Sequence, residues 1–300
     1  MRSYLLLLLC VTLWGANFVF GSILVREFPA LHVSAYRLTL TTLFLLAYAA
    51  ATRRFSKVTW RDIAYLIPLV LIGTLLNQVS FFTGLLTTDA TTAALILSLA
   101  PIFTSILARV FLKEPFTARM AVGSVLALFG VFFVVGHGGA GLRMTAGIWL
   151  MFAAMITFSL SIILMRKLTE RLDAFAATLY STILGFAAVY PVAVWRERHV
   201  DFHPHWWAWA LLFGSALLIQ CMCSLIWNGE LRKVGAAKAS IFLNLQPFVA
   251  MVFGFVMLGT PITWTQVIGS VLIVGGVVLA TWQGLPAPKL KTAAQRTEAP

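Results

Sequence analysis

Six amides, Asn17, Asn77, Gln78, Asn228, Asn244 and Gln246, interrupt long apolar runs, with the indoles Trp14 and Trp227 in the same runs. An amide both donates and accepts hydrogen bonds, and an indole stacks on flat or cationic groups. Such side chains cost free energy in an apolar layer unless they face protein or water, so they point to a binding site. Phe81, Ser98 and Ser159 lie in the same runs, and Pro101 and Pro247 each remove a backbone hydrogen bond and loosen a helix. This chemistry is reversible binding of a small organic solute. The plainer alternative for each amide is an interhelical hydrogen bond, worth about 0.6 kcal/mol on average. Phe81 and Trp227 would serve equally well as core packing.

Charge is sparse in these runs. Arg37 is the one full charge well inside a run, able to contact an anion or to reach back to the surface. Asp62, Asp89, Glu114, Glu170 and Asp173 fall at run ends, and Glu230 lies close to a boundary, so no buried carboxylate is expected. Any coupling ion would act through Glu230 or the solute itself. Asp89 reads as an acid favoured at a helix N-terminus. No His, Asp or Glu cluster has catalytic spacing, and neither a phosphate-binding glycine loop nor a metal motif is visible. Neither an enzyme, a cofactor nor a metal is expected. Cys10, Cys221 and Cys223 read as small apolar core residues.

The elements carrying these residues follow from composition. The 300 residues are 60% hydrophobic and only 11% charged, with a mean hydropathy of +0.92. Apolar runs of about 20 residues match a hydrocarbon layer about 30 Å thick. Ten spans are predicted, at 3–24, 31–52, 62–84, 89–112, 118–136, 146–166, 174–195, 206–229, 235–258 and 264–283. Backbone groups in lipid must bond internally, so these are helices, and the fold class is an all-α polytopic membrane protein. Trp14, Gly15, Ala16 and Asn17 offer no small-x-small cleavage signal, so the first run reads as a retained span rather than a signal peptide.

Of the 22 Lys and Arg residues, Arg26, Arg143, Arg196 and Arg198 fall opposite the termini and Arg37 within a span. The other 17 fall on the terminal side. Positive charge collects inside, so both termini are expected in the cytoplasm of a cell carrying this chain in its inner membrane. The net charge of +12 thus reports topology beside a lipid bilayer, not a nucleic-acid partner. The tail 284–300 reads as disordered and cytoplasmic.

The chain also repeats itself. Ala90, Leu97, Pro101, Leu112, Pro115, Thr117, Gly123 and Gly130 return 146 residues later as Ala236, Leu243, Pro247, Leu258, Pro261, Thr263, Gly269 and Gly276. Earlier spans match more weakly at an offset of 144, with Tyr36 against Tyr180 and Trp14–Asn17 against Phe158–Ser161. The units are 3–136 and 146–283, each with five spans. An odd number of crossings forces the two copies into opposite orientations, the basis of alternating access around a midplane site. Thr117 and Thr263 are expected to cap the fifth and tenth spans, and Gly123, Gly130, Gly136, Gly269, Gly275 and Gly276 to permit close helix approach. The copies diverge at Asn77 and Gln78 against Cys223 and Ser224.

These features resemble a known group. Trp14-Gly15-Ala16-Asn17-Phe18, Tyr36-Arg37-Leu38, Leu112-Lys113-Glu114-Pro115, Trp227-Asn228 and Asn244-Leu245-Gln246-Pro247, in this order over about 3–283, are similar to the EamA-like branch of the drug/metabolite transporter superfamily. The resemblance implies a carrier, often an exporter, of small metabolites, amino acids or drugs. It also implies a cavity lined by the first, third, fourth, sixth, eighth and ninth spans, and a structural hydrogen-bonding role for Arg37. One departure is Thr260 where the pattern repeats the acid found at Glu114. A membrane sensor, scaffold or enzyme is the alternative reading.

Overall fold

The computed structural model describes residues 2–53, 55–112, 118–136, 145–223, 226, 230 and 245–281. Among the described residues there are helices and no strands. In chain order they are α1 (Arg2–Glu27), α2 (Ala30–Thr52), α3 (Trp60–Gly84), α4 (90–112), α5 (Ala118–Gly136), α6 (Ala146–Thr169), α7 (Ala174–Arg196), α8 (Trp206–Met222), α9 (Gln246–Leu258) and α10 (Trp264–Thr281). Six of them, α1 to α4, α6 and α7, are long and apolar enough to cross a membrane. The chain is therefore a multi-pass membrane protein. Over the described residues α5 and α8 to α10 are shorter apolar helices. The tail 284–300 lies outside the described residues.

Local chemistry sets several helix starts. Asp89 accepts the Thr92 N–H at 2.9 Å and caps α4, as its position predicts. Thr263 and Gln266 cap α10 reciprocally, each backbone N–H donating to the other's side chain at 3.2 and 3.3 Å. The corresponding Pro115 and Thr117 lie outside the described residues. Trp60, Trp206 and Trp264 stand at helix starts with more than 80% of their surface exposed, the placement of interfacial anchors.

Two helices widen in mid-course, which the sequence reading missed. Residues Leu69–Leu76 of α3 and Ser215–Met222 of α8 are π-helical: the Asn77 N–H reaches the Ile72 carbonyl and the Cys223 N–H reaches that of Leu218. The two stretches lie 146 positions apart, and the residues just before them, Pro68 and Gly214, both loosen a helix. In α4 the helix breaks at Ser98–Leu99, ahead of Pro101, where the proline lacks an N–H. Pro247 falls in the first turn of α9, where a missing N–H costs nothing.

Small residues set the tightest approaches. A Cβ at Gly276 would lie 2.5 Å from the Gly123 carbonyl and 2.6 Å from the Ala127 nitrogen, so α10 lies backbone to backbone on α5. Gly130 and Gly269 face each other across the same pair. Gly275 is a correction, with nothing within 4 Å of an added Cβ. One residue along a helix is about 100° of rotation, and it points away from the contact. Gly15 sits on Val249 of α9, and Gly73, in the π-helical stretch, on Ser161 of α6. A large core including Leu95, Ile96, Leu99, Met151, Met155 and Leu212 joins α4, α6 and α8.

Candidate functional site

The N-terminal helix gathers the predicted residues. The Trp14 indole N–H donates to the Ile219 carbonyl at 3.3 Å, inside the widened stretch of α8. One residue on, Gly15 is pressed against Val249 and the Gln246 carbonyl at the start of α9, beside the buried Pro247. Two residues further, Asn17 accepts from Arg37 Nη2 of α2 at 2.9 Å. Phe18 then packs edge-on against Phe81 of α3, with ring centroids 5.8 Å apart. Four neighbouring positions of α1 thus touch α8, α9, α2 and α3.

The third and fourth helices are fastened to α6. Asn77, just past the π-helical stretch, donates through Nδ2 to the Ala154 carbonyl at 2.7 Å and to Thr157 Oγ1 at 3.1 Å. Ser159, fully buried, has its hydroxyl shared between the Met155 carbonyl at 2.9 Å and the Ala100 carbonyl at 3.2 Å, and so reaches the break in α4 beside Pro101. Ser98, at that break, bonds back to Leu95 at 2.6 Å. Gln78 is half-buried next to Asn77. Trp227, Asn228 and Asn244 lie outside the described residues.

The carboxylates differ from expectation. Asp62 and Glu230 are both buried, at 3% and 7% exposure, where run ends alone placed them near water. Asp62 is enclosed because it bonds the N–H and hydroxyl of Thr59 and accepts from Arg171 Nε at 3.1 Å. Arg37, at 4% exposure, does not reach back to the surface as one reading allowed.

Polar ties join the first repeat to the second at both ends of the bundle. At the end where α1 finishes, Glu197 of the α7 terminus accepts the Leu31 and His32 N–H groups at 3.0 and 3.1 Å and contacts His32 Nδ1 at 2.7 Å. Glu27 likewise holds His205, through its N–H at 3.1 Å and Nδ1 at 2.9 Å. Phe28, Tyr36, Phe202 and Trp209 pack beneath, Phe28 and Trp209 at 4.8 Å. At the other end are the Asp62–Arg171 pair and a bond from the Tyr180 hydroxyl to the Ser56 carbonyl at 2.7 Å. A cleft of about 320 Å³ lies at the Glu27 end, lined by Ser22, Arg26, Thr87, Thr88 and Asp89 among others. Sequence reasoning missed these ties, because neither His32 nor Glu197 carries a local signal of its partner 165 positions away.

Comparison with known proteins decides the family. The family profile described as the EamA-like transporter family matches twice, over residues 1–136 and 145–282. The chain belongs to the EamA-like transporter family. Among curated members, it is 29% identical to the uncharacterized transporter YyaM of Bacillus subtilis, over 94% of both chains. It is 25% identical to an uncharacterized transporter of Archaeoglobus fulgidus, over 93% of this chain and 98% of that one. A probable terminal-alkyne amino-acid exporter of Streptantibioticus cattleyicolor is 26% identical over 91% of each. One solved crystal structure superposes with a TM-score of 0.66 at 18% identity, covering 94% of this chain and 98% of that one, a likeness of fold. As an EamA-like protein the chain is a transporter, and the contacts of α1 with α2 and α3 lie between helices long and apolar enough to cross a membrane.

Proposed function

We propose that this EamA-like protein is a secondary carrier of small organic solutes that works by alternating access between two inverted five-span repeats. The observation that carries the reading is the pair of π-helical stretches, at matching places 146 positions apart in α3 and α8. Each is gripped by the opposite repeat: the stretch in α8 accepts the Trp14 indole of α1, and the stretch in α3 holds Ser161 of α6 against Gly73. Widened helices with rearranged backbone bonds are suited to changing partners during a cycle. Tyr36, whose ring packs against Trp209, and Tyr180, whose hydroxyl bonds the Ser56 carbonyl, are equivalent in the repeat and stand at opposite ends of the bundle, which supports inversion.

The substrate contacts in this reading are Trp14, Asn17, Asn77, Gln78, Phe81, Ser98, Pro101, Ser159, Trp227, Asn228, Asn244, Gln246 and Pro247. Arg37 and Glu230 serve as ionic contacts. The termini face the cytoplasm and the direction is export, as in the name of the Streptantibioticus cattleyicolor relative. The test is flux in liposomes with a solute found by thermal stabilisation of the purified protein. Asn77→Ala and Trp227→Ala are each expected to cut flux severalfold while folded protein is still recovered. The Asn77 variant should also melt slightly lower, having lost an interhelical bond worth about 0.6 kcal/mol, at most about 2. Normal flux in both variants removes the site assignment.

A further inference from the structure

We infer that Arg37 is the carboxylate-binding residue of the transport site, and that the carried solute is a monocarboxylate with an apolar or aromatic body. The inference rests on the carrier reading above and names its substrate class.

Arg37 is the eighth residue of α2, about 10 Å in from the helix start at the rise of an α-helix. It is 4% exposed, so its charge is held out of water. A guanidinium has five N–H donors. Among the described residues one of these meets a protein acceptor, Asn17 Oδ1 at 2.9 Å, and Nε is buried with no partner. Among the described residues no carboxylate pairs with Arg37, and the Phe82 ring lies 5.9 Å from its Cζ. An uncompensated buried charge is costly, and a bound anion relieves that cost.

A second group points the same way. Ser34, one turn before Arg37, is fully buried, and its hydroxyl has no partner. Helical side chains lean toward the N-terminus and cover the preceding turn, so the guanidinium reaches over the turn that carries Ser34. Two buried polar groups without a described partner, one of them cationic, therefore stand one turn apart on α2, with the Phe82 ring 5.9 Å from the guanidinium carbon. Phe82 and Phe81 pack at 5.1 Å, and Phe81 meets Phe18 of α1. One positive charge balances one negative charge, which favours a carboxylate over a phosphate dianion. The guanidinium fork matches a carboxylate in shape, and the rings take the apolar body.

The test is thermal melting of the purified full chain with three acids, phenylacetate, phenylalanine and leucine, each beside its carboxamide. Acids are expected to stabilise the wild type, with apparent affinities about 10- to 100-fold tighter than those of the matching amides. Arg37→Met should abolish the response to acids, Arg37→Lys retain part of it, and Ser34→Ala weaken it severalfold. Equal responses to acid and amide in the wild type, or no response to any acid, overturn the inference; neither result depends on a variant folding. Flux of some solute that persists unchanged in Arg37→Met overturns it while leaving the carrier reading standing. Acid binding without flux of any solute keeps the Arg37 site and removes the carrier reading instead.

Discussion

A covalent bridge between positions 27 and 205 is expected to stop transport, lowering flux to below about a tenth of the unbridged rate. Glu27 and His205 meet at 2.9 Å and link the end of α1 to the start of α8, so they join the two repeats. If the solute leaves by separation of the repeats at this end, a short bifunctional thiol reagent on Glu27→Cys, His205→Cys protein freezes the cycle. The native Cys10, Cys221 and Cys223 are all buried and outside any disulfide, and are replaced by serine so that only the introduced pair reacts. The same reagent on Asp62→Cys, Arg171→Cys protein bridges the other end, where the native pair meets at 3.1 Å. Alternating access needs both ends to open in turn, so both bridges must arrest flux. Arrest by one bridge alone describes a path with a single gate.

Gly276→Leu is expected to cost the fold outright, because the obstacle is backbone. A Cβ there already lies 2.5 to 2.9 Å from the Gly123 carbonyl and the Ala127 backbone and side chain, and none of these can swing aside. Overpacking of this kind costs typically about 1–3 kcal/mol for small additions and more for large ones. Gly276→Ala should thus lower the melting temperature measurably, and Gly276→Leu should leave little monodisperse protein in detergent. Gly275→Ala is the control. With open space at its Cβ, it should melt at or slightly above the parent, since alanine favours helix more than glycine does. A normal melt for Gly276→Leu would contradict the close packing of α5 on α10.

Features that depend on local chemistry were legible in the sequence. The Asp89 cap, the Thr263 cap and the burial of all three cysteines follow from residue type and position along one helix. Family membership was legible too, because short motifs kept their order over the whole chain. Features that depend on which way a helix faces were not. Sequence cannot choose between Gly275 and Gly276, and only packing shows that the second meets α5. Asp62 stands at a helix start, where water is the default partner, yet Thr59 and Arg171 enclose it. The π-helical stretches left only the faint trace of Pro68 and Gly214 at matched positions. Asn77 shows the limit for the site itself. An amide in an apolar run announces a polar partner, but the chain alone does not say whether that partner is a solute or the Ala154 carbonyl of α6.

In an alternating-access carrier the two ends of the bundle open in turn. Single cysteines placed at His32 and at Ser56, in cysteine-free protein in liposomes, can be labelled with a membrane-impermeant thiol reagent from either side. Adding a stabilising solute is predicted to raise the labelling rate at one position and lower it at the other. Rates that move together, or that do not respond to the solute, would contradict alternating access.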